Sequence, residues 1–402
     1  MSALRPTLRC PFCYRAIATR HAVEYRCSGR NRPGLEACEI TVDQDRKRET
    51  GYQGASRRVF AIPAPTRFAR SPRIAECDQC GAPSGERACP HCHSTLPSDF
   101  AQSKSPLIAI VGAYGTGKTV YFTVLAHQLL DKFGSRFDAS VELFGDQQGG
   151  SESGRDWING NIDTLIHERH LFPQTSRAVD GRKEPVVIQW RYRTRLGVKS
   201  NYLSFYDTAG EDLGGQDRAR DLKYLSAADA VLVLLDPFTL KTARDELADQ
   251  NGLPDSAPEP PEMVLQRVTE ALRESHRSFR RGQIRMPIAA TFAKIDAFFE
   301  HIPAQSPIRR VTDPGDGFDE RESLEIHEHV RSLLQRWDGM KLDQHLSLNY
   351  SDFRYFAVSA LGEPPDYEQS RVHPRGVRPL RVEDPLLWLL SRLGTVPILK
   401  SR

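Results

Sequence analysis

Eight consecutive residues carry the first recognisable chemistry: Gly112-Ala113-Tyr114-Gly115-Thr116-Gly117-Lys118-Thr119, with Val120 directly behind them. Glycines in such a run let backbone N–H groups converge on anionic oxygens without Cβ clashes. A helix starting at the end of the run adds the positive pole of its dipole. In that setting Lys118 reaches the β- and γ-phosphates of a nucleotide, and Thr119 places its hydroxyl on Mg²⁺. The flanks agree with this use. The apolar run Leu107-Ile108-Ala109-Ile110-Val111 precedes the loop, and Val120 to Leu130 have helical apolar spacing. Strand, glycine loop and helix in that order separate a phosphate cradle from an ordinary glycine-rich turn.

Asp207-Thr208-Ala209-Gly210 directly follows a second strand-like run. A carboxylate at a strand end holds Mg²⁺ directly or through water. The Gly210 N–H is placed to contact a γ-phosphate, so that its loop senses whether that phosphate is present. Alone, the segment would be an Asp-Gly turn; one strand pair after a phosphate loop, it reads as the second half of the same site.

The cysteines supply a different chemistry. All 8 lie in residues 1–100. Cys77-Asp78-Gln79-Cys80 and Cys89-Pro90-His91-Cys92 are separated by eight residues, close enough to predict one tetrahedral four-thiolate Zn²⁺ site. Four protein ligands leave no open position, so such a site is structural, and metal binding supplies folding free energy to a unit too small for much core. Cys10 and Cys13 form a further knuckle, and Cys27 and Cys38 complete a second four-thiolate set, with His21 as an alternative ligand.

These groups need elements to hold them. The spacing predicts strands at 107–111, 230–235, 287–292 and 354–358, and a hairpin of 186–192 with 200–206 across Gly197. Helices are predicted over Met263 to Phe279, Ser323 to Trp337 and Pro385 to Leu393. The order predicts an α/β fold: a mostly parallel sheet with helices on both faces, enlarged by insertions. The predicted organisation is a zinc-ribbon-like module at 1–40, a basic proline-containing linker at 41–73, a second zinc ribbon at 74–98 and a nucleotide domain at 105–395.

Composition sets the outer bounds. The 402 residues are 39% hydrophobic and 27% charged, as in a soluble globular protein. No apolar run approaches the roughly 18 residues that span a bilayer, and the N-terminus lacks a signal-peptide apolar core, so a cytoplasmic location is expected. The net charge of +3 is uneven: residues 1–100 hold 16 basic and 10 acidic side chains, and the remainder is acidic. A basic segment attracts nucleic acid. Two Zn(Cys)₄ centres would each carry a formal −2 and cancel most of the excess, which disfavours that partner.

From Leu107 onward the chain resembles the Ras-like GTPase superfamily. The resemblance rests on Gly112 to Thr119, Asp207 to Gly210, the strand Ala230 to Leu235, and Thr291-Phe292-Ala293-Lys294-Ile295-Asp296. Ser359-Ala360-Leu361 is similar to that superfamily's last guanine-contacting loop. The resemblance implies a P-loop NTPase fold, GTP and Mg²⁺. It implies that Asp296 accepts from guanine N1 and N2, donors that adenine lacks, and that Lys294 lies over the base. Ala293 departs from the usual Asn or Thr and lacks its polar contact. Glu211 stands where the superfamily carries a water-orienting glutamine, so hydrolysis is expected to be slow without a partner. Arg218 or Arg220 is an alternative source of a cationic finger, and both also read as surface residues. Thr175 is the residue expected to close over Mg²⁺, with Thr164 and Thr194 as alternatives. Zinc ribbons ahead of such a domain also resemble the double-GTPase proteins of bacterial conflict systems, which implies a second GTPase or an effector as partner.

Two functions of different class follow as expectations. One is a GTP-hydrolysing switch, in which Lys118, Gly210, Glu211 and Thr175 act on the γ-phosphate and the ribbons recruit a protein. The other is a non-hydrolysing scaffold whose nucleotide holds the fold. An ATPase with an accidental Lys-Ile-Asp is a third alternative.

Overall fold

The structure, a computed structural model, describes residues 8–17, 24–62, 72–97, 99–100, 103, 105–145, 153–172, 185–194, 197–207, 224–247, 259–275, 282–310, 315–366 and 368–399. The chain divides into two compact units. One comprises Met1–Pro106, Ser140–Asn159 and Ala178–Phe205; the other comprises Leu107–Ala139, Gly160–Arg177 and Tyr206–Arg402. Residues 140–159 and 178–205, expected inside the nucleotide domain, therefore group with the cysteine-bearing region.

The main elements follow in chain order. They begin with β1 (Leu107–Gly112), α1 (Lys118–Asp131), β2 (Ala139–Phe144), β3 (Val186–Thr194), β4 (Gly197–Asp207) and β5 (Ala230–Leu235). They continue with α2 (Pro261–Ser275), β6 (Ile288–Phe292), α3 (Glu320–Arg336), α4 (Met340–Asn349), β7 (Phe353–Ala357) and α5 (Asp384–Arg392). In the first unit β2, β3 and β4 are successive neighbours, and in the second β1, β5, β6 and β7 are successive neighbours.

Within the second unit, β1, β5, β6 and β7 pair in parallel. Every residue of β1, β5 and β6 is buried, which explains why each reads as an unbroken apolar run. Gly112 lies opposite Leu234, Leu235 opposite Phe292, and Phe292 opposite Ala357. The carboxyl ends of four strands are thereby aligned along one edge. α3 begins where Asp319 accepts from the Glu322 N–H, and it buries Ile326, Val330, Leu333 and Leu334 at helical spacing. α4 was not expected; its carboxyl-terminal Asn349 leads directly into the strand turn before β7.

The first unit joins distant stretches of chain. Its four-stranded sheet runs Thr95–Leu96, Arg87–Ala88, Glu24–Arg26, Val59–Ala61, so strands from the two expected ribbons are neighbours. The segments 1–40 and 74–98 are thus one interwoven module. The expected linker is also structured. Asp43 accepts from the Arg46 N–H to start a helix at Gln44–Thr50, and Gly51 ends it at φ 83°. Arg46 is buried with its guanidinium 3.5 Å from the centre of the Tyr52 ring. In the same unit β3 and β4 form the predicted hairpin, paired from Val186↔Phe205 to Thr194↔Gly197.

Candidate functional site

The segment Gly112–Thr119 connects β1 to α1. Gly112 must be glycine, since a Cβ there would meet the Leu234 carbonyl at 2.8 Å and the Thr116 hydroxyl at 3.0 Å. Gly115 and Gly117 take φ 76° and 84°, a region that other residues enter at a cost. Lys118 is the first helical residue and is 9% exposed. Its ammonium donates to the carbonyls of Gly112 at 2.7 Å and Ala113 at 2.8 Å. Thr116 donates to the same Ala113 carbonyl at 2.8 Å.

Residues just past the other three strand ends gather along the same edge. Lys294, after β6, adopts left-handed backbone at φ 56° and donates to the Gly115 carbonyl at 2.9 Å. The Ser359 main chain, after β7, exchanges hydrogen bonds with Leu380 in both directions, and its hydroxyl accepts from the Gly362 N–H at 2.7 Å. Leu361 accepts from the Arg378 N–H, so Ser359, Ala360 and Leu361 sit in a loop pinned at both ends. Ser359 also hydrogen-bonds Asp296. Burial pushes the Asp296 carboxyl above its usual range, only partly offset by the Ser359 hydroxyl, a backbone N–H and the Lys294 ammonium. The expected phosphate, base-box and final-loop residues are therefore brought together.

One group at this edge was missed. Asp236 follows β5, is 2% exposed, and accepts from the Lys294 ammonium at 2.7 Å. The Asp-Pro pair after a buried strand was the available signal, and it reads equally well as a plain turn. Thr175, Gly210, Glu211, Arg218, Arg220 and His21 lie outside the described residues. Asp207 ends β4, and its side chain lies outside them too. Thr194 ends the hairpin strand β3, and Thr164 lies in the helical turn Asp163–His167.

The cysteines form two clusters, partitioned differently from the expected sets. Cys10 and Cys13 join Cys89 and Cys92; Cys27 and Cys38 join Cys77 and Cys80. The shared sheet causes this pairing, because it lays Glu24–Arg26 between Arg87–Ala88 and Val59–Ala61. Sγ atoms lie 3.7 and 3.8 Å apart across the first cluster, and 3.4 and 3.7 Å apart across the second. Tetrahedral ligands at about 2.3 Å from Zn²⁺ stand about 3.8 Å from one another, whereas a disulfide needs about 2.0 Å. Backbone N–H groups of Phe12, His91 and Gly29 point at Cys10, Cys89 and Cys27 sulfurs at 3.3–3.4 Å, which favours thiolates. Without a cation the cluster is costly: burial, then three neighbouring thiols, push Cys10 well above its usual range. Both clusters fit Zn²⁺.

The first cluster is built into a wider core. Phe12, Ile17, Leu96, Phe100, Val187 and Tyr202 surround it. The Ser204 hydroxyl donates to the Pro11 carbonyl at 2.6 Å, and Asp99 accepts from Ser200 and Tyr202 at 2.6 Å each.

A cavity of about 740 Å³ lies in the second unit, between the segment Gln128 to Arg136, the start of α3 and residues 379–384. Its two half-buried arginines are already matched. Arg136 donates to Glu383 and to the Gly315 and Gly317 carbonyls. Arg381 donates to Glu322, Asp384 and three carbonyls. These contacts join loops to helices and match both guanidiniums.

No family model matches the chain. Over 323 residues it is 29% identical to a protein of Mycolicibacterium smegmatis described as "Putative ESX-1 scaffolding and assembly protein SaeC", with 77% of this chain and 80% of that protein covered.

Proposed function

We propose that this protein is a guanine-nucleotide-regulated assembly factor. The observation that carries the reading is the alignment of four parallel strand ends, which gathers Lys118, Lys294, Asp296 and Ser359 at one edge. Ligands of open parallel sheets bind outside the carboxyl ends of strands. In this reading Lys118 and the N–H groups of Gly112 to Thr119 take the phosphates. Asp296 and the Ser359–Leu361 loop take guanine. Thr119 and Asp207 hold Mg²⁺, and Thr175, Gly210 and Glu211 act on the γ-phosphate. The zinc-stapled module presents a surface to a protein partner. The relative's scaffolding and assembly description supports a protein partner. It concerns a role unrelated to conflict systems, so that expectation is not carried into the proposal.

Titration with GTP, GDP and ATP in the presence of Mg²⁺ tests the base reading. GTP is expected to bind at least about 10-fold more tightly than ATP, since hydrogen bonds to a charged group contribute about 1.5–3 kcal/mol. Asp296→Ala should erase the difference. Equal binding of ATP, with no effect of the substitution, would remove guanine from the proposal and leave only phosphate binding. Phosphate release from bound GTP then separates a hydrolysing switch from a scaffold that keeps its nucleotide. The relative's description favours the scaffold as the second reading.

The Asp296 environment adds a pH dependence. Its carboxyl is raised in the folded protein, so between the unfolded and folded pKa the native state holds the extra proton. This group therefore adds stability as pH falls through the raised pKa and loses it as pH rises. Guanine recognition runs the other way, because it needs the carboxylate. The GTP preference over ATP is expected to shrink as pH drops through that pKa, starting at a higher pH than for an ordinary aspartate. A preference that is flat down to the ordinary carboxylate range contradicts this assignment.

A further inference from the structure

We infer that Asp236 is a positioning residue for the base-binding end of this site, holding Lys294 in place of the polar side chain that Ala293 lacks. The inference rests on the nucleotide reading above. A carboxylate that is 2% exposed is costly unless matched. Two partners match this one. One oxygen accepts from the Phe238 N–H at 3.0 Å, which starts the short helical turn Pro237–Thr239. The other accepts from the Lys294 ammonium at 2.7 Å. That ammonium also donates to the Gly115 carbonyl at 2.9 Å and lies 5.4 Å from the centre of the Phe238 ring.

One side chain thus ties three segments: the end of β5, the end of β6 and the glycine loop. Lys294 has left-handed backbone, uncommon for lysine, so its local geometry needs an outside hold. Ala293 is buried and brings no polar side-chain atom to this junction. The Asp236 charge keeps the Lys294 stem in one place beside the loop, where a base would lie.

Asp236→Asn separates this role from a structural one. The amide oxygen still accepts from the Phe238 N–H, the volume is kept, and only the charge is lost. GTP dissociation constants would be measured on the full zinc-loaded chain with Mg²⁺. The proteins are wild type, Asp236→Asn, Lys294→Ala and the double variant, with Asp236→Ser as a second cap-preserving substitution. Each single change is expected to weaken GTP roughly 10-fold, the size of one charged contact. The double variant should bind within about twofold of Lys294→Ala, because residues acting through one another are not additive. Unchanged affinity in both Asp236 variants overturns the inference, and so do losses that multiply in the double. Failure of the wild type to bind any nucleotide sinks the nucleotide reading itself. Tight wild-type binding with unmoved variants sinks only the role of Asp236.

Discussion

Cys10→Ser/Cys89→Ser protein is expected to retain one tightly held Zn²⁺, and Cys77→Ser/Cys89→Ser protein none that survives a chelator. The first pair lies in one cluster, so its loss abolishes that site and leaves four intact thiolates at the other. The second pair takes one thiolate from each cluster, so both sites keep three ligands and weaken together. Sequence-adjacent sets predict the reverse for the two variants, which makes zinc stoichiometry under chelator challenge decisive between them. The effect on stability is large. Structural Zn²⁺ contributes about 10–16 kcal/mol of apparent binding free energy, comparable with the whole stability of a typical domain. Removing both ions should therefore unfold the cysteine-bearing module, read as loss of the near-ultraviolet signal of Tyr25 and Phe60, which pack on the second cluster. A metal-free module with unchanged spectrum and melting would contradict a structural role for zinc.

Lys118→Ala is expected to weaken GTP, GDP and ATP alike, by about 100-fold or more, because a charge-assisted contact to a phosphate is among the strongest single hydrogen bonds. A loss of affinity without a matching loss of melting temperature in the nucleotide-free protein marks a lysine used for the ligand, since the ammonium also donates to the Gly112 and Ala113 carbonyls. This combination separates a ligand-gripping lysine from one that braces the loop. A variant that binds all three nucleotides normally but melts several degrees lower supports bracing instead. Its profile also differs from that of Asp296→Ala, which should change base preference while keeping phosphate contacts.

The parallel-stranded unit was legible in the sequence where the physics is local. β1, β5 and β6 are buried on both faces, and that leaves an unbroken apolar run in each. The glycines at 112, 115 and 117 report conformational demands of their own positions. α4 and β2 were not legible. β2 alternates exposed and half-buried residues, with no face fully buried, and α4 has only weak apolar sidedness. Cysteine spacing identified the knuckles but not their pairing. Each knuckle is a local turn, and the choice of mate is made by strands tens of residues away. Asp236 was missed for a related reason: its chemistry exists only once Lys294 arrives from 58 residues downstream.

Nested cysteine pairing sets an order of events as the chain is made. The inner cluster needs Cys80 and can close while the chain is still growing; the outer one must wait for Cys92. Closing the longer spans costs little, since each doubling of loop length adds only about 0.6 kcal/mol. Until residue 92 emerges, however, the four-thiolate set that begins with Cys10 and Cys13 is incomplete. The amino-terminal knuckle is therefore expected to complete its site only when the last knuckle folds back onto the first.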